Sequence, residues 1–167
     1  MISAISVTSI EDQHWTAIKE IYEQGLATGV ATFETQSPSW EQWDKAHLTI
    51  CRFVAQEADV VVGWIALSPI SSRCAYRGVA EVSVYVHVDH RRKGIGKRLL
   101  QKAITSSEDN GYWMLQAGIM RANVGSVKLH ESVGFRIVGY RERISQINDI
   151  WIDNLLLERR SLVIGIE

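Results

Sequence analysis

The stretch Val84-Tyr85-Val86-His87-Val88-Asp89-His90-Arg91-Arg92-Lys93-Gly94-Ile95-Gly96-Lys97-Arg98-Leu99-Leu100 is where the pattern of the chain changes character. Its start belongs to a run, Val79 to Val88, that alternates strictly. Val82, Val84, Val86 and Val88 fall on one face, and Glu81, Ser83, Tyr85 and His87 on the other; a period of two predicts a strand. Its end opens a run from Gly94 to Asn110 with Ile95, Leu99, Leu100 and Ala103 on one face, a helical period that Asn110-Gly111 would close with a left-handed cap. Between them, five of the eight residues from Arg91 to Arg98 are Lys or Arg, in a chain whose net charge is −1. Gly94 and Gly96 let backbone N–H groups come close to a ligand. The helix N-terminus adds partial positive charge. Strand, basic loop and helix together make an anion cradle suited to a pyrophosphate. A basic loop without those glycines would read as a solvated turn.

Two familiar phosphate loops are excluded. A Walker loop needs Gly-x-x-x-x-Gly-Lys-(Ser/Thr), but Arg91 stands at its first glycine and Arg98 at its hydroxyl. The dinucleotide fingerprint needs a third glycine where Leu99 stands.

Outward from the loop, the chain reads as alternating elements. Ile5 and Val7 suggest a first strand, and Glu11 to Leu26 a helix with Trp15, Ile18, Ile21, Tyr22 and Leu26 at helical spacing. Val30 to Ser37 is a loop, followed by a short helix for which Ser39 is the N-cap candidate. Arg52 to Gln56 and Val60 to Leu67 are strand-like and joined by a hairpin at Glu57-Ala58-Asp59. Pro69 to Gly78 is a second loop. Tyr112 to Ile119 is a strand and Ser126 to Val133 a short helix stopped by Gly134. Phe135 to Glu142 and Asn148 to Leu157 are two last strands. The order β-α-α-β-β-β-α-β-α-β-β predicts an α/β (α+β) fold, a central mixed twisted sheet flanked by about four helices.

The 167 residues carry no linker, repeat or low-complexity segment, so residues 1–167 are read as a single domain. Hydrophobic residues make up 46% and charged residues 22%, ordinary values for a globular chain. The near-zero net charge offers no whole-surface field for nucleic acid or anionic membrane. No run reaches the ~18 apolar residues of a membrane span. The N-terminus, with Glu11 and Asp12 close behind it, lacks the basic and apolar regions of a signal peptide. Two cysteines, Cys51 and Cys74, make no disulfide framework. The expectation is a cytoplasmic protein with neither a nucleic-acid nor a membrane partner. Its five histidines and two cysteines do not cluster at ligand spacing, so no metal is expected; His87 and His90 lack a third ligand.

Arg91-Arg92-Lys93-Gly94-Ile95-Gly96 fits R-x-x-G-x-G. Downstream, Asn123-Val124-Gly125-Ser126-Val127-Lys128-Leu129-His130-Glu131-Ser132-Val133-Gly134-Phe135 fits Asn-x-x-(Ala/Ser)-x-x-(Leu/Phe)-(Tyr/His)-x-x-x-Gly-Phe. With both motifs in order, the sequence resembles the GNAT superfamily of acetyl-CoA-dependent N-acetyltransferases over essentially the whole chain. Ala31-Thr32-Phe33-Glu34-Thr35, Arg73-Cys74-Ala75-Tyr76-Arg77, Glu81-Val82-Ser83-Val84-Tyr85-Val86, Leu129-His130-Glu131 and Trp151-Ile152-Asp153 are similar to the phosphinothricin and methionine sulfoximine N-acetyltransferases. This chain departs from that subgroup at Val79-Ala80, where Thr-Val is frequent, and at Val82, where a polar residue is common.

The resemblance implies acetyl-CoA as co-substrate, a small amino-acid acceptor and a homodimer. It implies Glu81 as general base, directly or through water. His130 stands where many relatives have the tyrosine that protonates the leaving thiolate, and histidine can be acid or base near neutrality. Which of Glu81 and His130 takes the first proton stays open at this point. The plainer alternatives are a Glu81 facing solvent or an arginine, and a surface His130. Backbone groups of Val86, His87 and Val88 would bind the pantetheine arm and the thioester oxygen. Arg91, Lys93, Gly94, Ile95, Gly96, Lys97, Arg98 and Leu99 would surround the phosphates. Asn123 would bond the pantetheine or phosphate arm, cap the next helix, or do both. Arg73 is the candidate for a carboxylate, with Phe33, Glu34, Tyr76 and Tyr85 lining the acceptor pocket. Trp15, Trp40, Trp43, Trp64 and Trp113 are read as packing residues. Other acceptors (a protein N-terminus, a polyamine, an aminoglycoside) and a non-catalytic CoA-binding regulatory domain are the competing readings.

Overall fold

The computed structural model describes residues 4–167. Seven strands and four helices follow one another as β1 (Ile5–Ser9), α1 (Trp15–Ala27), α2 (Trp40–Ala46), β2 (Phe53–Glu57), β3 (Val60–Pro69), β4 (Val79–Val86), α3 (Ile95–Asp109), β5 (Met114–Met120), α4 (Val124–Glu131), β6 (Arg136–Ile147) and β7 (Ile150–Arg160). This is the order expected from the sequence. One sheet runs β1-β2-β3-β4-β5-β7-β6. All neighbours are antiparallel except β4 and β5, which are parallel because α3 carries the chain back across the sheet.

Each sheet face buries a different set. Leu99, Leu100, Ala103 and Ile104 of α3 pack with Val82, Leu115, Ala117, Ile119 and Leu157. On the other face, Ile18 and Ile21 of α1 pack with Trp43, Val54 and Trp64. Trp15, Trp40, Trp43 and Trp64 form a contiguous aromatic group there, with ring centroids 5.5–5.8 Å apart. The packing role expected for these four tryptophans holds.

Several boundaries differ from the sequence reading for identifiable reasons. The helix expected from Glu11 begins with a 3₁₀ turn at Asp12–His14, because His14 Nδ1 accepts from the Glu11 N–H at 3.0 Å. Ser39 caps α2 as expected: its Oγ accepts from Gln42 N–H while Gln42 Oε1 accepts from Ser39 N–H. The helix expected from Ser126 starts two residues earlier, capped by Asn123. Asn148, expected to open a strand, forms the β6–β7 turn with Asp149. Both have positive φ, +49° and +63°, as do Ala58 and Asp59 in the β2–β3 turn. Paired left-handed residues are what two-residue hairpins require.

Two irregularities shape the site. Strands β4 and β5 pair only over Val79–Glu81 with Met114–Gln116, then part. In β6, the register jumps between Arg141, opposite Asn154, and Ser145, opposite Ile152. Glu142, Arg143 and Ile144 therefore bulge opposite the single residue Asp153, whose carboxylate accepts from Arg143 N–H at 2.8 Å and from the Tyr140 hydroxyl.

Candidate active site

The parted strands open a cavity of about 870 Å³. Backbone direction on each edge follows from bonds that are made. On β4, His87 N–H donates to Val62 of β3, whereas the Gly78 carbonyl accepts from Trp113 and Met114 N–H on the β5 side. Even-numbered residues of β4 therefore point toward β5, which directs the N–H and C=O groups of Val82, Val84 and Val86 into the gap. On β5, the Trp113 carbonyl and Arg121 N–H bond to the β7 side, so Gly118 and Met120 face the gap from across it. A strand edge left open in the middle of a sheet is costly unless an extended ligand pairs with it.

The gap leads to the N-terminus of α3. Gly94 is its N-cap at φ +78°, a conformation with little penalty only for glycine. Gly96 packs closely on α4: a Cβ there would lie 2.8 Å from Leu129 Cδ2, and that side chain would have to shift. The first helical N–H groups have no intrahelical partner, and Arg91, Arg92 and Lys97 line the cavity beside them. Glu57 fixes the loop from behind, 2.9 Å from His90 Nδ1 and 3.5 Å from Lys93 Nζ. This cradle, continuous with the open strand edge, fits the pyrophosphate and extended arm of a CoA thioester.

Among the residues expected at the phosphates, Arg91, Gly94, Ile95, Gly96 and Lys97 line the cavity. Lys93, Arg98 and Leu99 are placed elsewhere. Lys93 reaches back to Glu57, and Arg98 donates to the Ile5 carbonyl at 3.2 Å. Leu99 is wholly buried in the core, since helical periodicity turns it toward the sheet. Val86 lines the cavity, but His87 and Val88 do not. The Val88 N–H is bonded to Gln24 Oε1 of α1 at 2.9 Å. Asn123 does two things: its Oδ1 accepts from Ser126 N–H, capping α4, and its Nδ2 donates to the Val30 carbonyl, tying down the loop after α1.

Glu81 and His130 both line the cavity. Glu81 stands opposite Gln116 where the strands part, and its Oε2 accepts from Gln116 Nε2 at 3.4 Å. His130 is 2% exposed, with Nδ1 2.7 Å from the Ser126 carbonyl and its ring edge-on to Phe135 at 5.1 Å. A carbonyl only accepts, so Nδ1 carries the proton and Nε2 the lone pair. Burial lowers the His130 pKa, partly offset by the Ser126 bond, so the ring is neutral at pH 7. The same bond keeps Nδ1 from taking a proton from the Ser126 hydroxyl.

Phe33, Glu34 and Tyr85 line the cavity as expected. Tyr85 stacks on Trp64 at 4.8 Å and meets Tyr22 edge-on, and burial pushes its phenol well up, keeping it neutral. Arg73 and Tyr76 are not brought there. They flank an exposed 3₁₀ turn, with the Arg73 guanidinium 5.6 Å from the Tyr76 ring centroid. Trp113 packs under Arg77, and Trp151 is exposed. Sequence reasoning missed Gln116, Arg141, Ser145 and Asn154. The polar pair Asp153-Asn154 in the otherwise apolar run Ile150–Leu157 is the one local signal; Arg141 has none.

The cavity, its open strand edge and its anion cradle define a CoA-dependent acyltransferase site. The chain matches the acetyltransferase (GNAT) family model over residues 15–135, and it belongs to that family. It is 32% identical over 143 residues to the L-amino acid N-acyltransferase MnaT of Escherichia coli strain K12, covering 82% of this chain and 83% of that one. It is 30% identical to the L-methionine sulfoximine/L-methionine sulfone acetyltransferase of Salmonella typhimurium, with the same coverage. Among solved structures, yncA of Salmonella typhimurium with its cofactor acetyl-CoA superposes with TM-score 0.88 at 26% identity, covering 95% of this chain and 94% of that one. The phosphinothricin acetyltransferase of Sinorhizobium meliloti in complex with acetyl-CoA gives 0.86 at 28%, covering 96% and 89%. The protein is thus a GNAT N-acetyltransferase, with acetyl-CoA as its acyl donor.

Proposed function

We propose that the protein acetylates the α-amino group of a small amino acid of the phosphinothricin, methionine sulfoximine or methionine sulfone type, by direct transfer. The observation that carries this reading is the opening of one cavity onto Glu81, His130, the unpaired β4 edge and the α3 N-terminus together. One relative is named for L-amino acids and the other for methionine sulfoximine and methionine sulfone, which supports the choice of acceptor.

Acetyl-CoA supplies an acetyl group activated as a thioester. The chain does the rest. Arg91, Lys97 and the α3 N-terminus hold the phosphates. The open edge at Val84 and Val86 holds the extended arm, and N–H groups there stabilise negative charge developing on the acyl oxygen. The acceptor must lose a proton, because an ammonium has no lone pair. Glu81 takes it, directly or through water. His130 Nε2, uncharged and with its lone pair free, can take the second proton, shed by the attacking nitrogen once the C–N bond forms, and give it to the leaving sulfur as the C–S bond breaks. Direct transfer is supported by the cysteines: Cys51 is buried in the core, and Cys74 is exposed on the turn beside Arg73, outside the cavity. A homodimer in the cytoplasm completes the reading. Exposed Ile137, Tyr140 and Trp151, on one face of the β6–β7 hairpin, support a partner there. No helix among the described residues is long and apolar enough to cross a membrane.

The test is thiol release from acetyl-CoA against phosphinothricin, methionine sulfoximine, methionine sulfone, spermidine, kanamycin and an N-terminal peptide. Turnover confined to the amino acids, with kcat reduced about 10²-fold or more in Glu81→Gln, is the expected result. Turnover on another amine would replace the acceptor, and acetyl-CoA binding without turnover on any would point to a regulatory domain.

A further inference from the structure

The carboxylate of such an acceptor needs a cation in the cavity, and Arg73 is not placed there. Arg141 is. It lines the cavity from β6, at the edge of the bulge. Arg52, Arg121, Arg143 and Arg159 each lie within salt-bridge distance of a carboxylate, whereas Arg141 has no such partner among the described residues.

The sheet register fixes which side of the cavity Arg141 serves. Arg141 stands opposite Asn154, Asn154 opposite Met120, and Glu81 opposite Gln116, four residues from Met120 along β5. Directly paired residues share a face, and so do residues two apart. Glu81, Tyr85, Asn154 and Arg141 therefore lie on one face of the sheet, whereas α3 packs on the opposite face. Arg141 is thus on the face of the proposed base, away from the phosphate cradle.

Its neighbour gives a second, independent sign. Asn154 lines the same cavity, is 7% exposed, and its Oδ1 is enclosed without a hydrogen-bond partner. It lies over Gly118, where an added Cβ would come within 3.0 Å of its Nδ2. A buried amide left unsatisfied is costly and points to a partner supplied from the cavity.

Resting on the proposed amino-acid acceptor, we propose that Arg141 and Asn154 form its recognition pair: Arg141 binds the carboxylate, and Asn154 accepts from the adjacent amine. Side chains directly opposite across two strands have Cβ atoms about 5 Å apart. Side chains from so close a pair can converge on two groups carried by one carbon, and the guanidinium fork matches a carboxylate with two parallel bonds. Ile144 and Ser145, at the bulge that follows Arg141, line the same cavity.

The experiment compares L-methionine sulfone with its α-carboxamide as acceptors, in the wild type, Arg141→Ala and Arg141→Lys. The wild type should prefer the acid. Arg141→Ala should raise KM for the acid about ten- to a hundredfold and leave KM for the amide and for acetyl-CoA unchanged, with Arg141→Lys in between. Because Arg141 is exposed, an unchanged unfolding temperature serves as the folding control. An equal rise for acid and amide, a retained preference for the acid, or a rise confined to acetyl-CoA would overturn this assignment alone. A wild type that acetylates no carboxylate-bearing amine would overturn the proposed acceptor along with it.

Discussion

His130 illustrates how one hydrogen bond fixes the direction in which a residue can work. Its Nδ1–H is committed to the Ser126 carbonyl and burial disfavours a charge, so the ring arrives as a proton acceptor at Nε2. With its pKa lowered from the ordinary 6.5, the neutral form persists as pH falls through that value. The His130 contribution to the acid limb of kcat/KM therefore lies below pH 6.5, and the limb should change shape in His130→Gln together with a kcat loss of about 10²-fold. A limb of unchanged shape in His130→Gln would contradict this assignment. Only the type of residue was legible in the sequence. Its tautomer depends on a carbonyl four positions earlier, brought to it by the helix turn.

At the scale of elements, local signals read well and relations between strands did not. The alternation of β4, the helical stripe of α3 and the Ser39 cap each lie within one segment, and each is where the sequence placed it. Helical phase alone would have separated Leu99 and Arg98 from Gly96. Reading the loop and the first turn as one anion site obscured that, whereas the structure sends Arg98 to β1 and Leu99 to the core. The β6 bulge and the Arg141–Asn154 pairing depend on register between strands, which no single segment encodes. The Gly94 turn offers a test at this scale. Gly94→Ala places a Cβ in a left-handed residue with nothing crowding it, so the cost is conformational, about 1 kcal/mol. Expected are a melting temperature lower by about 2–4 °C and a raised KM for acetyl-CoA, with KM for the acceptor unchanged; calorimetry and steady-state kinetics check both.

For the whole molecule, the pH dependence of stability should follow two histidines, one half-buried and one buried. His47 packs on Trp43 at 4.3 Å, with Nδ1 2.7 Å from the Trp43 carbonyl; burial is the first cause of its lowered pKa, and nearby Arg52 adds to it. His130 is shifted the same way. When the native pKa is the lower one, the unfolded chain binds more protons as pH falls below 6.5, and linkage then favours unfolding. The melting temperature should hold near neutrality and decline from about pH 6.5 downward. His47→Gln should make that decline shallower. A profile flat to pH 5 would refute the linkage.

The short pairing between β4 and β5 has a mechanical meaning as well. Only three residue pairs stitch strands β1–β4 to strands β5–β7 across that seam, so the molecule is two half-sheets sharing a brief hem. An extended donor lying in the gap would supply the rungs the chain itself leaves out. If the donor binds as proposed, the enzyme is a more complete sheet when loaded than when empty, and each turnover unpicks and resews its own middle.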